Sequence, residues 1–274
     1  MNGERAKLFE QISRIVIKIG SNVVTTEQNR VDSSVIEHLV EQISDLARNR
    51  GRELTIVTSG AIAAGLQVLG WKTRPTHINE LQAAASVGQS RLMRVYERSF
   101  RDQGLNVGQV LLTRDIFHVP GRKENARHTL LTLIKHRAIP IINENDSVAV
   151  DEIKFGDNDR LSALVAELIQ ADLLIMLSNV DGLHDADPKH SRRTRIIPEV
   201  RSVAVQILAL GRQGTPSSKG SGGIASKIAA AKYVTDRGIL CLIADGKRAG
   251  VLQDVFDGKK VGTLFYAKKG KAKA

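Results

Sequence analysis

Two clusters of polar side chains near the middle of the sequence have the residue types of a binding site. Asn143–Asp146 follows a short apolar run, and Gly156–Asp159 precedes a segment with helical spacing. Asp157 or Asn158 is expected to cap that helix and to leave its first N–H groups free for an anion. Each cluster alone also fits an ordinary turn. Together they favour a pocket for a polar small molecule, without the ligand spacing of a metal site.

Two lysines lie beside glycines in settings that suit a phosphate group. Lys18 stands near the end of an apolar run and is followed by Gly20. A glycine there lets backbone N–H groups approach an anion, although the motif also fits an ordinary strand end. Lys227 follows the glycine-rich run 220–223 in the first turns of a predicted helix, where a lysine is unfavourable unless an anion is bound. Neither segment is a Walker P-loop or a Rossmann fingerprint.

The two lysines and the pocket of acids and amides together predict phosphoryl transfer. In this reaction the protein mainly positions the reactants and neutralises their charge. The seven histidines are scattered along the chain, without the pairing of a metal site or a catalytic triad. We therefore predict a small-molecule kinase rather than an enzyme that depends on histidine chemistry.

The elements that must position these residues alternate between strands and helices. Apolar runs predict strands at 14–19, 54–57, 107–112, 139–142, 173–177, 239–243 and 263–265. Helical spacing predicts helices at 31–50, 80–100, 125–136, 161–168, 200–210 and 224–237, and a helix start at 61–65. This order predicts an α/β fold, a three-layer α/β/α sandwich with a mostly parallel central sheet. Such sheets bind ligands beyond the carboxyl ends of their strands.

Charge and aromatic content argue against a nucleic-acid partner. The net charge is +11, and basic residues concentrate at 189–195 and in the tail at 267–274. Aromatic residues make up only 4% of the chain, and none lies among these basic residues to stack on bases. We predict that both basic segments are solvated surface and that nucleic acid is not a partner.

The remaining composition predicts a globular protein of the cytoplasm. Hydrophobic residues make up 42% of the 274 residues and charged residues 25%, which requires no second independent domain. The single cysteine, Cys241, lies in an apolar run and is predicted to be buried and unpaired, as suits a reducing compartment. The charged N-terminus argues against a signal peptide. No apolar run reaches the 18 residues of a membrane span, so a membrane partner is not expected.

The motifs resemble those of the amino-acid kinase family over nearly the whole chain, from Arg14 to Phe265. The segments that carry the resemblance are VIKIGSN (16–22), VTSGAIAAG (57–65), VGQ (87–89), NARHTL (125–130), INENDSVA (142–149), EIKFGDNDRLSALVA (152–166), SNVDGL (178–183), GSGGIASK (220–227) and VGTLF (261–265). Branches acting on acetylglutamate, aspartate, carbamate and uridylate share the early lysine-glycine turn and the late lysine. The combination of VTSGAIAAG, NEND and GDND resembles instead the branch that acts on glutamate.

The resemblance implies an activity and a domain organisation. The activity is transfer of the γ-phosphoryl group of ATP, with Mg²⁺, to the side-chain carboxylate of L-glutamate, giving L-glutamyl 5-phosphate, the first step toward proline. Proline as a feedback inhibitor and a homo-oligomer are also implied. The kinase domain is expected at 1–266, with a substrate lobe at about 1–172 and a nucleotide lobe at about 173–266. The C-terminal pseudouridine-synthase-type domain of many relatives is expected to be absent.

The resemblance also assigns roles to residues that match the family motifs. Lys18 and Lys227 flank the transferring phosphoryl group, and Asp159 aligns these lysines. The implied substrate-binding residues are Ser59, Gly60, Ala61, Asp146, Lys154, Asp157 and Asn158. The implied nucleotide-binding residues are Lys18, Gly20, Ser178, Asn179, Ser221, Gly222, Gly223, Ile224, Ala225, Ser226 and Lys227. Two positions differ from the family pattern: Ser221 stands where the family often has threonine, and Asn179 where it often has aspartate. These differences leave the details of nucleotide contact open.

Overall fold

A sheet of eight strands forms the centre of the computed structural model, which describes residues 2–149, 158–186, 193–213 and 223–268. The strand order is β3-β4-β2-β1-β5-β7-β8-β6, and among the described strands only the β7–β8 pairing is antiparallel. The strands are β1 (Arg14–Ile19), β2 (Glu53–Val57), β3 (Asn106–Leu112), β4 (Ala138–Glu144), β5 (Leu173–Ser178), β6 (Glu199–Val200), β7 (Leu240–Asp245) and β8 (Thr263–Phe265). The predicted mostly parallel sheet is confirmed.

Helices cover both faces of this sheet. They are α1 (Asn2–Glu10), α2 (Ser21–Val24), α3 (Ser33–Arg48), α4 (Ala61–Leu69), α5 (Ile78–Asp102), α6 (Pro120–Lys135), α7 (Asn158–Leu168), α8 (Val205–Gln213), α9 (Ile224–Thr235) and α10 (Val251–Phe256), with a 3₁₀ helix at Arg114–His118. Strand residues alternate between two buried cores: Ile15 and Ile17 pack with α3, α5 and α10, whereas Val16 packs with α6, α7 and α9. This alternation produces the predicted three-layer sandwich.

The predicted elements are largely confirmed, with two larger errors in their bounds. The helix predicted at 125–136 already begins at Pro120, because proline suits the first turn of a helix. The helix predicted at 200–210 begins only at Val205, because Glu199–Val200 forms the short strand β6 beside β8. Three helices without a prediction, α1, α2 and α10, are short, and α1 lacks a distinct apolar face. Cys241 is fully buried and unpaired, as predicted. No helix in the described ranges is long and apolar enough to cross a membrane.

Helices α4 and α5 cross at a point where two glycines are required. A Cβ atom on Gly88 would lie 1.8 Å from the carbonyl oxygen of Ala61, and one on Gly65 would lie 1.8 Å from that of Ala84. Only hydrogen atoms fit between the two backbones. Since Ala61 is the first residue of α4, this crossing fixes the position of the turn that precedes it.

Replacing Gly88 by Ala is expected to lower the free energy of unfolding by about 1–3 kcal/mol or more, because the added methyl group forces the two helices apart. Urea denaturation measures this change. Gly121→Ala in α6 is the matched control, since a Cβ at Gly121 meets no atom within 4 Å. The control is expected to unfold at the same or a slightly higher urea concentration. Equal stability of the two variants would contradict the assigned role of this crossing.

Candidate active site

Three charged side chains that are far apart in the sequence meet at the carboxyl end of the sheet. Nζ of Lys18 lies 2.6 Å from Oδ1 of Asp159, and Nζ of Lys227 lies 3.1 Å from Oδ2 of the same carboxylate. Ser226 Oγ donates a hydrogen bond of 2.7 Å to Oδ2. Asp159 is fully buried, and both lysines are at most 5% exposed. We refer to Lys18, Asp159 and Lys227 as the charged triad.

Each member of the charged triad is placed by a different element. Lys18 is the last residue but one of β1, and Asp159 is the second residue of α7. Lys227 lies in the first turn of α9, where its backbone N–H donates to the Gly223 carbonyl oxygen. The parallel pairing of β1 with β2 and β5 brings the carboxyl ends of these strands to one edge. The two lysines therefore approach one carboxylate from two sides.

The two lysines of the charged triad determine the charge state of Asp159. Burial opposes ionisation of Asp159, but the charges of Lys18 and Lys227 and the hydrogen bonds from Lys18 and Ser226 outweigh it. The pKa of the Asp159 carboxyl is consequently held well below its ordinary value. The carboxylate stays ionised at physiological pH, and two buried lysines share it. Their positive charge suits the binding of a further anion, such as a phosphate.

Asn158 connects the charged triad to the turn that precedes α4. Its Nδ2, with two hydrogens to donate, lies 2.6 Å from the Thr58 carbonyl oxygen, 2.9 Å from Ser59 Oγ and 3.0 Å from Asn143 Oδ1. Its Oδ1 is buried and has no hydrogen-bond partner among the described residues. The side chain therefore presents a buried acceptor that a ligand N–H group could satisfy.

The turn 58–61 supplies hydrogen-bond donors beside Asn158. Gly60 has a φ of +108°, a conformation that favours glycine, and it precedes α4 without any side-chain cap. The N–H groups of the first turn of α4, beginning at Ala61, are thus available to an anion. Ser59 accepts a hydrogen bond from Asn158, which leaves its hydroxyl hydrogen to donate elsewhere. The structure brings the predicted residues Ser59, Gly60 and Ala61 together with Asn158.

Asp146 lies in a cavity at the end of β4 rather than in contact with the charged triad. The cavity has a volume of about 240 Å³ and is lined by Ala85, Ser86, Gln89, Ser90, Gln109, Leu111, Glu144, Asp146 and Ser147. Burial raises the pKa of the Asp146 carboxyl to about 6, and the charge of Arg74 opposes this rise. The cavity is linked to Asn158 through Asn143, whose Nδ2 donates to Gln89 Oε1 at 2.8 Å.

Of the predicted nucleotide-binding residues that the structure describes, Ser178 and Asn179 lie at the end of β5, which is on the other side of β1 from β4 and its cavity in the strand order. Gly20 N donates to the Leu177 carbonyl oxygen at 3.0 Å, which joins the turn after β1 to the end of β5. A Cβ at Gly20 would lie 3.6 Å from Lys18 Nζ, so the glycine keeps space beside the ammonium group. Ser178 ends β5, and its Oγ lies 3.5 Å from Oδ1 of the exposed Asn179.

The start of α9 completes this side of the site. Gly223 is the N-cap residue, Ile224 and Ala225 open the helix, and Ser226 and Lys227 contact Asp159. Four predicted site residues lie outside the described part of the chain: Lys154, Asp157, Ser221 and Gly222. Sequence reasoning did not assign roles to Asn143 and Gln89, although both lie in quoted motifs, because nothing local reveals which neighbour an amide contacts.

The fold and the site together define a phosphotransferase that acts on a small molecule. A parallel α/β sheet presents two buried lysines, one bridging carboxylate and a cavity with acids and amides. In the described ranges no group of three or more His, Cys, Asp or Glu side chains could hold a metal ion. The chain belongs to the amino acid kinase family, whose model matches residues 13–245.

Curated relatives agree with this assignment, and solved structures share the fold. The chain is 48% identical to a glutamate 5-kinase of Syntrophus aciditrophicus over 97% of its own length and 68% of the relative's length. It is 45% identical to a glutamate 5-kinase of Clostridium tetani over 97% of its own length and 99% of the relative's. The fold matches carbamate kinase from Giardia lamblia bound to AMP-PNP, with a TM-score of 0.66 and 15% identity. This match covers 94% of the present chain and 99% of the carbamate kinase chain. The fold also matches UMP kinase from Ureaplasma parvum, with a TM-score of 0.63 and 17% identity. This match covers 93% of the present chain and 99% of the UMP kinase chain.

Proposed function

We propose that this protein transfers the γ-phosphoryl group of ATP to the side-chain carboxylate of L-glutamate, forming L-glutamyl 5-phosphate, the first step of proline biosynthesis. The observation that carries this proposal is the charged triad, in which Lys18 and Lys227 share the buried carboxylate of Asp159. The two ammonium groups are held at one carboxylate, and in this proposal they bind the γ-phosphoryl group from two sides. Identities of 44–48% to glutamate 5-kinases support glutamate as the acceptor.

The chemistry requires charge neutralisation rather than a general base. The side-chain carboxylate of free glutamate has a pKa of about 4.3, so the nucleophile is already ionised at neutral pH. The main obstacle is repulsion between this carboxylate and the triphosphate. Lys18 and Lys227 offset that repulsion, most strongly when negative charge develops on the transferring group. Mg²⁺ enters with ATP as part of the nucleotide substrate and supplies further positive charge.

The remaining predicted residues fit the charged groups on the α-carbon of the acceptor. Asp146 is the acid for the substrate ammonium group, and the turn Ser59–Ala61 offers donors to the α-carboxylate. Asn158 adds its buried Oδ1 acceptor. Lys154 and Asp157 belong to this substrate set by motif. Residues 1–172 then form the substrate lobe and 173–266 the nucleotide lobe, with Ser178, Asn179 and 221–227 around ATP.

Regulation, assembly and location belong to the same proposal. Proline resembles glutamate in its ammonium and carboxylate groups, so binding in the glutamate pocket would make it a competitive feedback inhibitor. We also infer a homo-oligomer in the cytoplasm. Exposed apolar side chains near the α4–α5 connection support association between subunits: Val68, Leu69, Trp71 and Ile78. Sedimentation of the purified chain measures the assembly directly.

The test is release of ADP with ATP and Mg²⁺ in the presence of glutamate, acetylglutamate, aspartate or carbamate. We expect turnover with glutamate at least tenfold above that with any other acceptor. A preference for another acceptor would keep the kinase chemistry but refute glutamate as its substrate. Absence of turnover with every acceptor, together with salt-dependent RNA binding, would favour a basic nucleic-acid-binding protein on this fold.

Glutamate use is expected to fall in acid because Asp146 must be ionised to bind an ammonium group. Burial raises the pKa of Asp146 to about 6, so its charged form is lost as pH falls through 6. The value of kcat/KM for glutamate should then fall about tenfold per pH unit below 6. Asp159 does not titrate in this range, because the pKa of its carboxyl is lowered.

A pH series from 5 to 8 with saturating ATP measures this dependence. The Asp146→Asn variant is the control, since it has no carboxyl to titrate at this position. It is expected to use glutamate poorly at every pH and to show a flatter profile. An unchanged kcat/KM for the unsubstituted protein between pH 7 and 5 would refute the role of Asp146.

A further inference from the structure

The side-chain amides of Gln89, Asn143 and Asn158 form a hydrogen-bonded network beside the active site. Backbone groups at its two ends determine which amide atoms donate and which accept. The backbone N–H of Glu144 donates to Asn143 Oδ1 at 2.9 Å, and a backbone N–H can only donate. At the other end, Asn158 Nδ2 lies 2.6 Å from the Thr58 carbonyl oxygen, which can only accept. Asn143 Nδ2 must therefore donate to Gln89 Oε1, at a distance of 2.8 Å.

This polarity leaves one buried donor and one buried acceptor without a partner among the described residues. The acceptor is Asn158 Oδ1, and the donor is Gln89 Nε2. Gln89 lines the cavity that also contains Asp146. A buried N–H group without a partner is costly, so its retention points to a ligand that accepts from it.

A carboxylate that enters this cavity needs hydrogen-bond donors. The acids Glu144 and Asp146 line the cavity, the charge of Arg74 acts on Asp146, and Asp146 is the proposed partner of the substrate ammonium group. In an α-amino acid the ammonium and the α-carboxylate are attached to the same carbon, so both must enter this region. Gln89 is a neutral donor within the cavity wall and can bind the carboxylate without neutralising Asp146.

We propose that Gln89 is a specificity-determining residue that donates a hydrogen bond from Nε2 to the α-carboxylate of the acceptor amino acid. This inference rests on the proposed function, which it deepens by adding a side-chain donor for the α-carboxylate to the backbone donors of the turn Ser59–Ala61. The Oε1 atom of Gln89 keeps Asn143 in place, and Asn143 in turn contacts Asn158. The residue thus combines recognition of the substrate with positioning of an amide beside the charged triad.

The test uses Gln89→Glu, which keeps an acceptor for Asn143 but replaces the donor by a carboxylate oxygen. The KM for glutamate is expected to rise roughly 10- to 100-fold at pH 8, the effect of losing a hydrogen bond to a charged group. The KM for ATP should not change. The α-amide of glutamate, whose N–H can donate to the new carboxylate, should improve relative to glutamate, and a merely structural residue would not produce this reversal.

Two further variants separate recognition from positioning. Gln89→Met removes both polar atoms at similar volume, so kcat is expected to fall as well because Asn143 loses its partner. Gln253→Glu, an exposed position on α10, is the matched control and should leave every constant unchanged. Circular dichroism and thermal unfolding establish that each variant is folded.

The outcomes distinguish this inference from the proposed function. An unchanged ratio of glutamate to α-amide use in folded Gln89→Glu refutes the role of Gln89 while leaving the kinase activity intact. If the unsubstituted chain turns over neither compound, the proposed function fails. Calorimetric binding of glutamate and its α-amide to the unsubstituted chain and to Gln89→Glu then decides the role of Gln89: reversed preference supports it, and an unchanged preference refutes it.

Discussion

Replacing Lys227 by Met is expected to lower kcat about 10²- to 10³-fold while the protein remains folded. The ammonium group is one of two that face the transferring phosphoryl group, and loss of one such preorganised donor typically has an effect of this size. Asp159 keeps Lys18 as a neutralising partner at 2.6 Å, so the buried carboxylate is not left alone. Steady-state release of ADP with saturating glutamate and ATP measures kcat.

Lys232→Met in the same helix is the matched control for this experiment. Lys232 is partly exposed and pairs with Asp236 at 2.5 Å, away from Asp159. Its replacement should leave kcat within about twofold, since surface ion pairs contribute little. Near-normal kcat in Lys227→Met would refute the role of Lys227, and an equal loss in both variants would indicate a general effect on α9.

Replacing Asp159 by Asn is expected to be the most damaging change to both stability and turnover. The substitution leaves two buried lysines facing each other without their carboxylate, and breaking such a buried pair costs about 3–5 kcal/mol. The lysines also lose the contact that aligns them, so kcat should fall by at least 10²-fold. ATP should raise the unfolding temperature more in this variant than in the unsubstituted chain, because its phosphates supply the missing negative charge.

Asp236→Asn provides an unusually close control, since Asp236 also bridges two lysines. It lies 2.5 Å from Lys232 and 2.6 Å from Lys268, but its side chain is 28% exposed. Removal of this surface bridge is expected to change the free energy of unfolding by only about 0–1 kcal/mol. Thermal unfolding with and without ATP measures both effects. Similar losses in the two aspartate variants would contradict the importance of burial at Asp159.

Much of the fold could be predicted because its determinants are local. The run at 14–19 has four isoleucine and valine residues between and beside Arg14 and Lys18, as suits a buried strand, and the structure has a strand with the same bounds. The segment 199–200 shows the limit of such reasoning. Its residues suit the start of a helix by pattern, but pairing with β8, whose residues lie more than 60 positions later, makes it a strand.

The candidate site was predictable in its residue types but not in its contacts. Lys18 and Lys227 stand out locally because each lies beside glycines, and Asp159 lies in a polar cluster. No local pattern indicates that one carboxylate binds both lysines. The neighbours of Gln89 were equally hidden, because an amide in a helix does not reveal whether its partner is solvent, backbone or another amide.

The sequence by itself determined most of the buried segments, the glycine turns after β1 and β2 and before α9, and the charged groups that stand at them. These properties follow from side-chain polarity at helical or strand periodicity, which acts over a few residues. Only the tertiary structure decided that β1 lies between β2 and β5. That order brings Lys18, Asp159 and Lys227 within hydrogen-bonding distance, because the neighbours of a strand are chosen by packing across the whole chain.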